Sequence, residues 1–257
     1  MVSENCFNAL TDRAKRFKYS SMTYIEYSDC TDADLLSDDE NMILLHDKTK
    51  SPAMLYYATD DYSGLVERVA TIPGKLRLHF VPRVYARLLL DQGFIEWGEF
   101  CDFWNSDLQS TARQIGAVDR SEYLSVDRCG EASAIALKCR LQSRGFEGET
   151  PEWFAQWLVD NKVIIVPSES GITGFCCVSV YNEGTTLWIR EVAVDPAHQG
   201  KGFGKRLVEQ AVMFGAENGA TKGFLAADIL NKNAIGLYNK YGFYSNYADS
   251  ELQLIRE

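Results

Sequence analysis

The sequence predicts an α/β protein of the α+β kind: a mixed, mostly antiparallel central sheet flanked by helices, in two successive halves. Three observations predict it. Short β-branched runs such as Ile189–Val194 alternate with segments whose apolar residues recur at helical spacing, such as Phe203, Leu207, Val208, Ala211 and Val212. The runs at 163–166, 174–181 and 186–194 read as an antiparallel meander. The element order of the first half, two strands and then α-β-α-β, returns in the second.

Residues 1–28 hold a helix over Phe7–Phe17 and a short strand over Met22–Tyr27. The acidic stretch Asp29–Glu40 reads as a solvated loop, or else as an attractor of a cationic acceptor or partner, and lacks the spacing and glycine of a calcium loop. Strands are expected at Met42–His46 and Ala53–Thr59, a helix at Tyr62–Ala70, and a strand at Lys75–Val81 with Leu76, Leu78 and Phe80 on one face. A helix over Pro82–Gln92 ends at Gly93, where a left-handed C-cap is expected. The strand Phe94–Phe100 follows. Residues 105–120 are polar and poorly periodic, so the linker is placed there, dividing the chain into domains 1–118 and 119–257.

In the second half, Glu122–Val126 reads as a strand and Glu131–Gln142 as a helix ending near Gly145. Thr150-Pro151-Glu152 opens another helix with a capping residue, a proline at the first position and an early acid. Its residues Trp153, Phe154, Trp157 and Leu158 form an aromatic stripe, suited to packing on the sheet or to bordering an acceptor pocket. After the meander come helix Phe203–Asn218, strand Gly223–Ile229, helix Asn233–Tyr241 and a last strand near Leu252–Ile255.

A chain of 257 residues with a formal charge of −10 lacks the basic face of a nucleic-acid binder. No apolar run has membrane-spanning length, and M-V-S-E-N-C-F lacks a signal pattern. Seven cysteines without a C-x-x-C pair read as reduced thiols of a cytoplasmic protein, and three scattered histidines argue against a metal site. Cys176 and Cys177, adjacent on a strand, point to opposite faces.

The most informative stretch, residues 187–207, reads L-W-I-R-E-V-A-V-D-P-A-H-Q-G-K-G-F-G-K-R-L. A strand is ended by Asp195-Pro196, glycines follow at 200, 202 and 204, and a helix begins. That layout turns successive backbone N–H groups into one concavity and adds the positive end of a helix, which suits a phosphate or pyrophosphate. A dinucleotide fingerprint fails, because the sixth residue from Gly200 is Lys205. A Walker loop fails, because Gly204-Lys205 is followed by Arg206. Q-x-x-G-x-G, with Gln199, Gly202 and Gly204 after V-A-V-D-P, resembles the acyl-CoA loop of the GNAT N-acetyltransferase superfamily. A second piece resembles the same family: Asn231 to Tyr238, continuing to Lys240-Tyr241-Gly242-Phe243. The resemblance covers residues 120–257 in full and the first half by element order only.

The resemblance implies an acetyl-CoA-dependent N-acetyltransferase that moves an acetyl group to a primary amine by direct transfer in a ternary complex. The acceptor, a small molecule or peptide, is not legible, nor is the oligomeric state. It implies that backbone N–H groups of Gln199, Gly200, Lys201, Gly202, Phe203, Gly204 and Lys205 hold the diphosphate of acetyl-CoA, with Lys201, Lys205 and Arg206 as a positive patch. The strand before the loop is expected to splay, so that Val192, Ala193 and Val194 hold the pantetheine arm. The Val192 N–H would meet the thioester oxyanion, a role worth about 3 kcal/mol of barrier. Tyr238 is the expected general acid. Asn231 and Asn233 serve as caps or as contacts to CoA. Glu191 and Asp228 compete as base, and in a regular strand Glu191 faces away from Arg190 and Val192. The first half would be a degenerate copy or a cap domain: at the loop position it carries Thr59-Asp60-Asp61-Tyr62-Ser63-Gly64, whose aspartates repel a pyrophosphate. A different class, a non-catalytic acyl-CoA sensor, shares these features, whereas a hydrolase is disfavoured by the missing G-x-S-x-G.

Overall fold

The computed structural model describes residues 2–25, 27, 30–140, 148–169 and 171–257. In chain order its elements are α1 (Glu4–Ala14), β1 (Tyr19–Ser20), β2 (Asp34–Asp38), β3 (Met42–Asp47), β4 (Ala53–Thr59), α2 (Tyr62–Ala70), β5 (Leu76–Pro82), α3 (Arg83–Leu90) and β6 (Ile95–Asn105). Then come α4 (Leu108–Ile115), β7 (Glu122–Tyr123), α5 (Cys129–Cys139), α6 (Pro151–Asp160), β8 (Lys162–Ser168), β9 (Gly171–Tyr181) and β10 (Thr186–Val194). The chain closes with α7 (Phe203–Glu217), β11 (Lys222–Asp228), α8 (Lys232–Lys240) and β12 (Glu251–Arg256). It is a mixed α/β fold whose strand pairs are mostly antiparallel. Among the described residues no helix is long and apolar enough to cross a membrane.

Two compact units emerge, Met1–Glu99 with Ala248–Glu257, and Phe100–Tyr247. This division differs from one at 118/119 because each unit takes its last strand from the far side of the chain. In the first unit β2, β3 and β4 pair antiparallel, β5 lies parallel to β4, and the C-terminal β12 lies antiparallel to β5. In the second, β8, β9 and β10 pair antiparallel, β11 lies parallel to β10, and residues 100–105 of β6 lie antiparallel to β11. The same pairing order thus occurs twice.

Five readings change. Residues 105–120 are not a bare linker: α4 places Leu108, Ala112 and Ile115 at helical spacing against the core, with the Asp107 carboxylate accepting from the Ser110 N–H at 3.0 Å. The acidic stretch contains β2, an edge strand whose charges face water while it pairs with β3. Met22–Tyr24 forms a 3₁₀ turn instead of a strand, and Glu26 lies outside the described residues. The strand at 122 stops after Tyr123 and gives way to a 3₁₀ turn at Val126–Arg128. Helix α5 starts two residues early, and its expected end near Gly145 lies outside the described residues.

In the second unit the sheet is covered on both faces. One face packs Ile164, Cys176, Leu187 and Ile189 against Leu207, Val208, Ala211 and Val212 of α7. Approach is close: a Cβ at Gly215 would fall 2.9 Å from the Leu187 Cβ. The other face packs Val163, Phe175, Cys177 and Ala193 against α5 and α6 through Ala132, Ile135 and Phe154. Cys176 and Cys177 therefore do face opposite ways, and no disulfide joins any of the seven cysteines.

Candidate active site

β10 and β11 share three residue pairs, Thr186↔Lys222, Leu187↔Gly223 and Trp188↔Phe224, and then part. The cause is local. Between Ile189 and Glu191 the register of β10 against β9 slips by one residue, so Arg190 is bulged out. A bulge bends and twists its strand. Beyond Trp188 the edge of β10 that faced β11 has no strand partner among the described residues, and Val192, Ala193 and Val194 lie along that stretch.

A tight turn follows. The Asp195 carboxylate accepts from the Ala197 N–H at 2.9 Å and from Lys138 Nζ at 2.5 Å, and Lys138 with that N–H holds its pKa below the usual carboxylate value. Gln199 Nε2 donates to the Val194 carbonyl at 3.1 Å, tying the turn to the strand end. Gly200 and Gly202 have φ of 75° and 87°, and a Cβ at either would meet nothing within 4 Å. Gly202 is also the N-cap of α7 and offers no side chain to it. The Arg206 N–H reaches the Gly202 carbonyl at 3.1 Å, so the N–H groups of Phe203, Gly204 and Lys205 precede the helical ladder. Open glycines, an uncapped helix start and a parted strand form one continuous backbone surface able to hold an anion and an extended chain.

The expected positive patch is weaker than its composition. Lys201 Nζ donates to the Ala197 carbonyl at 3.2 Å, Lys205 lies 3.6 Å from Glu209, and Arg206 lies 3.9 Å from Asp119. Each cation leans on a neighbour, so the loop's capacity for an anion lies mainly in its backbone.

Glu191 sits where the bulge puts it. The extra residue turns Arg190 and Glu191 to the same face, correcting the regular-strand expectation, and their side chains approach to 3.9 Å. Glu191 is 8% exposed, and neither carboxylate oxygen has a hydrogen-bond partner among the described residues. Burial pushes its pKa up to about 8, with Arg190 opposing and Glu149 reinforcing the shift. Arg190 itself donates to Glu149 at 2.8 Å and lies 4.0 Å over the Trp153 ring, beside Trp157. Glu149 and Arg190 were not singled out from sequence; an arginine next to a glutamate in the strand entering a phosphate loop was the available signal.

Tyr238, on α8, is buried on the opposite face in the core that also packs Val192 and Val194, near Phe103 at 6.4 Å between ring centroids. Burial, helped by Cys176, raises its pKa, so the phenol keeps its proton. Asp228 accepts from the Leu230 N–H at 2.8 Å and shapes the turn before α8. Asn231 caps α8, accepting from the Ala234 N–H at 3.2 Å, while Asn233 lies inside the helix; the cap is therefore Asn231. The structure brings the loop, Val192 and Tyr238 to one side of β10 and places Glu191 on the other.

Residues 129–243 match the model of the acetyltransferase (GNAT) family. That segment is a GNAT domain. Over 89 residues, 35% of this chain, it is 34% identical to the streptothricin acetyltransferase of Streptomyces lavendulae, of which the match spans 47%, just under half of that relative's length. An acetyltransferase of the GNAT family from Colwellia psychrerythraea superimposes with a TM-score of 0.62 at 11% identity, covering 99% of this chain and 97% of its own. A tandem GNAT protein from the clavulanic acid biosynthesis pathway superimposes with a TM-score of 0.58 at 12% identity, covering 84% and 79%. These likenesses extend the GNAT fold beyond the matched segment to the first unit. Within the GNAT domain the glycine loop and the Asn231–Phe243 segment lie where the sequence placed them, at the two helix starts that follow the parting strands. Among the described residues no cluster of His, Cys, Asp and Glu is arranged to hold a metal ion.

Proposed function

We propose that the second unit is an acetyl-CoA-dependent N-acetyltransferase acting on a primary amine in a ternary complex. The observation that carries this reading is the parting of β10 from β11 at the Arg190 bulge, directly before a glycine-capped helix. The residues fit the donor. Gly200 and Gly202 leave open space where side chains would stand, and the orphan N–H groups of α7 suit a diphosphate. Bound there, acetyl-CoA supplies an activated thioester.

The chain's own groups do the rest. Gln199 to Lys205 hold the diphosphate through backbone, and the edge of Val192, Ala193 and Val194 takes the place of a missing strand pair. The Val192 N–H polarises the acyl carbonyl. Glu191, with a pKa near that of an activated base, takes the proton of the incoming ammonium. The amine nitrogen then bonds the acyl carbon, the carbon–sulfur bond breaks, Tyr238 gives its proton to the departing thiolate, and the second proton shed by the nitrogen returns through solvent to the phenolate. Because Glu191 and Tyr238 lie on opposite faces, the amine arrives from one face and the thiol leaves toward the other. Glu149, Trp153 and Trp157 beside Glu191 are engaged by Arg190, so a cationic acceptor reaches them by displacing that guanidinium.

The test is thiol release from acetyl-CoA with a panel of mono- and polyamines, alongside calorimetric titration of acetyl-CoA. Release that depends on amine supports the enzyme. Binding without release from any amine supports the sensor reading instead, and no binding at millimolar acetyl-CoA rejects both.

A further inference from the structure

Away from the parted strands, a basin of about 620 Å³ lies wholly within the first unit, at the C-terminal end of α2. Its volume falls in the range of small-molecule pockets, about 300–1,000 Å³. Among its lining residues are four cationic side chains and no carboxylate, in a protein of net charge −10. We infer that this basin is a second binding site, for a nucleotide-sized phosphate ester whose anionic group is taken by Lys50 and Arg68 and whose body rests on Leu36, Ile72 and Pro73.

The end of a helix normally repels an anion, because its last carbonyls carry partial negative charge. Here the Arg68 and Val69 carbonyls already accept from the N–H groups of Thr71 and Ile72, and carbonyls of the loop beyond the helix are taken as well. Thr71 Oγ1 donates to the Arg68 carbonyl at 2.7 Å, and the Arg256 guanidinium donates to the carbonyls of Ile72 and Gly74. Lys48 and Lys75 are paired at 2.7 Å with Asp34 and Glu257, in exposed pairs of the kind that contribute little and that a phosphate can displace. Lys50 makes no ion pair among the described residues, and Arg68 makes only a 3.3 Å bond to the Leu36 carbonyl. His46 completes the wall. It is 6% exposed, its buried Nε2 has no hydrogen-bond partner among the described residues, and burial, aided by Lys48 and opposed by Asp34 and Asp47, lowers its pKa, so the wall carries a neutral imidazole with an unmet polar nitrogen. Two cations without an acidic partner among the described residues, two more in displaceable exposed pairs, an orphaned buried nitrogen and an apolar floor together describe a recognition site, not a solvated face.

The experiment is calorimetry with ADP, inorganic pyrophosphate and adenosine, on protein already saturated with acetyl-CoA so that the glycine loop is filled. ADP and pyrophosphate should bind one per chain, more weakly as salt rises. Combined Lys50→Glu and Arg68→Glu should weaken ADP by at least about tenfold while leaving acetyl-CoA affinity and the melting temperature unchanged. Both side chains are exposed, so the fold is not at stake. Failure of ADP to bind at millimolar concentration, equal ADP affinity in the double variant, or adenosine binding as tightly as ADP would each overturn the inference. If acetyl-CoA itself does not bind, the double variant still decides the matter on the free protein, so the two readings fail separately.

Discussion

The two units solve one problem in opposite ways. In each, a parallel pair holds for three residues and then opens: β4 with β5 at Ala53↔Leu76, Met54↔Arg77 and Leu55↔Leu78, and β10 with β11 at 186–188. Parting strands strand backbone donors and acceptors, which must find partners. In the first unit the chain itself provides them. β1 pairs with the vacated edge of β4 at Tyr19↔Thr59 and Ser20↔Ala58. The Ser21 N–H then donates to the Tyr57 carbonyl at 2.8 Å, and the Tyr57 N–H donates to Ser21 Oγ at 2.8 Å. The helix start is closed as well: Asp61 accepts from the Gly64 N–H at 3.0 Å, and Asp60 from the Lys18 N–H at 2.6 Å. In the second unit that edge of β10 has no strand partner among the described residues beyond Trp188, and Gly202, the N-cap of α7, offers it no side chain. A gap filled by polypeptide is structural; the same gap left to backbone and water is poised for a ligand.

That contrast is most sharply tested at Tyr238. With catalysis confined to the second unit, Tyr238→Phe should lower kcat by about 10²–10⁴-fold while the KM for acetyl-CoA changes little. Turnover close to wild type in a steady-state assay would show that the phenol is packing only. Next in size is the loop. Gly202→Val asks a β-branched residue to adopt a left-handed backbone at φ 87° and fills the open concavity. Acetyl-CoA affinity should fall by about 100-fold by calorimetry, with a modest loss of stability of about 1–2 kcal/mol. Undiminished affinity would mean the diphosphate does not use this turn.

Much of this was legible from local pattern. The loop, α7, β11 and α8 appear within a residue or two of their expected bounds, because Asp195-Pro196, the alternate glycines and the Leu207–Val212 periodicity act within one turn of chain. The exchanged last strands were not legible. Nothing in Leu252–Ile255 says whether it will pair with β11 or β5, since partner choice is decided by long-range packing. A splay of this strand was expected only through the family likeness; the position of the bulge at Arg190 was not legible, and its consequence for Glu191 was missed because alternation over one residue sets the side. Helix α4 hid its apolar stripe, Leu108, Ala112 and Ile115, among polar neighbours.

Glu191 gives a smaller but two-sided effect. Its folded pKa near 8 exceeds the ordinary 4.5, so the native state holds a proton that the unfolded state releases. Stability from this group is therefore full below pH 4.5 and is lost as pH rises toward 8. Glu191→Gln should remove that loss, so that the variant melts higher than wild type at pH 8 and about equally at pH 4.5. Meanwhile kcat/KM, which in the wild type should climb with pH up to about 8, should lose that limb and fall at its plateau by about tenfold or more. A melting curve with the wild-type pH dependence would show that the carboxyl is solvated, and an unchanged pH–rate profile would transfer the role of base elsewhere.

The least effect is expected at Ser21, and it bears on why the first unit has no phosphate loop. Ser21→Ala removes the hydroxyl that receives the Tyr57 N–H and leaves that buried donor unpaired, a cost of about 1–3 kcal/mol. Chemical denaturation should register the loss. Acetyl-CoA titration should still give one equivalent per chain at wild-type affinity, because the site in the second unit is untouched and Asp60 and Asp61 still repel a diphosphate at the start of α2. A second equivalent appearing in the variant would reveal that β1, and not the aspartates, keeps a ligand out of the first gap. Two equivalents in the wild type would break the comparison itself, since a gap already paired along Tyr57–Thr59 has no edge left to offer a pantetheine arm.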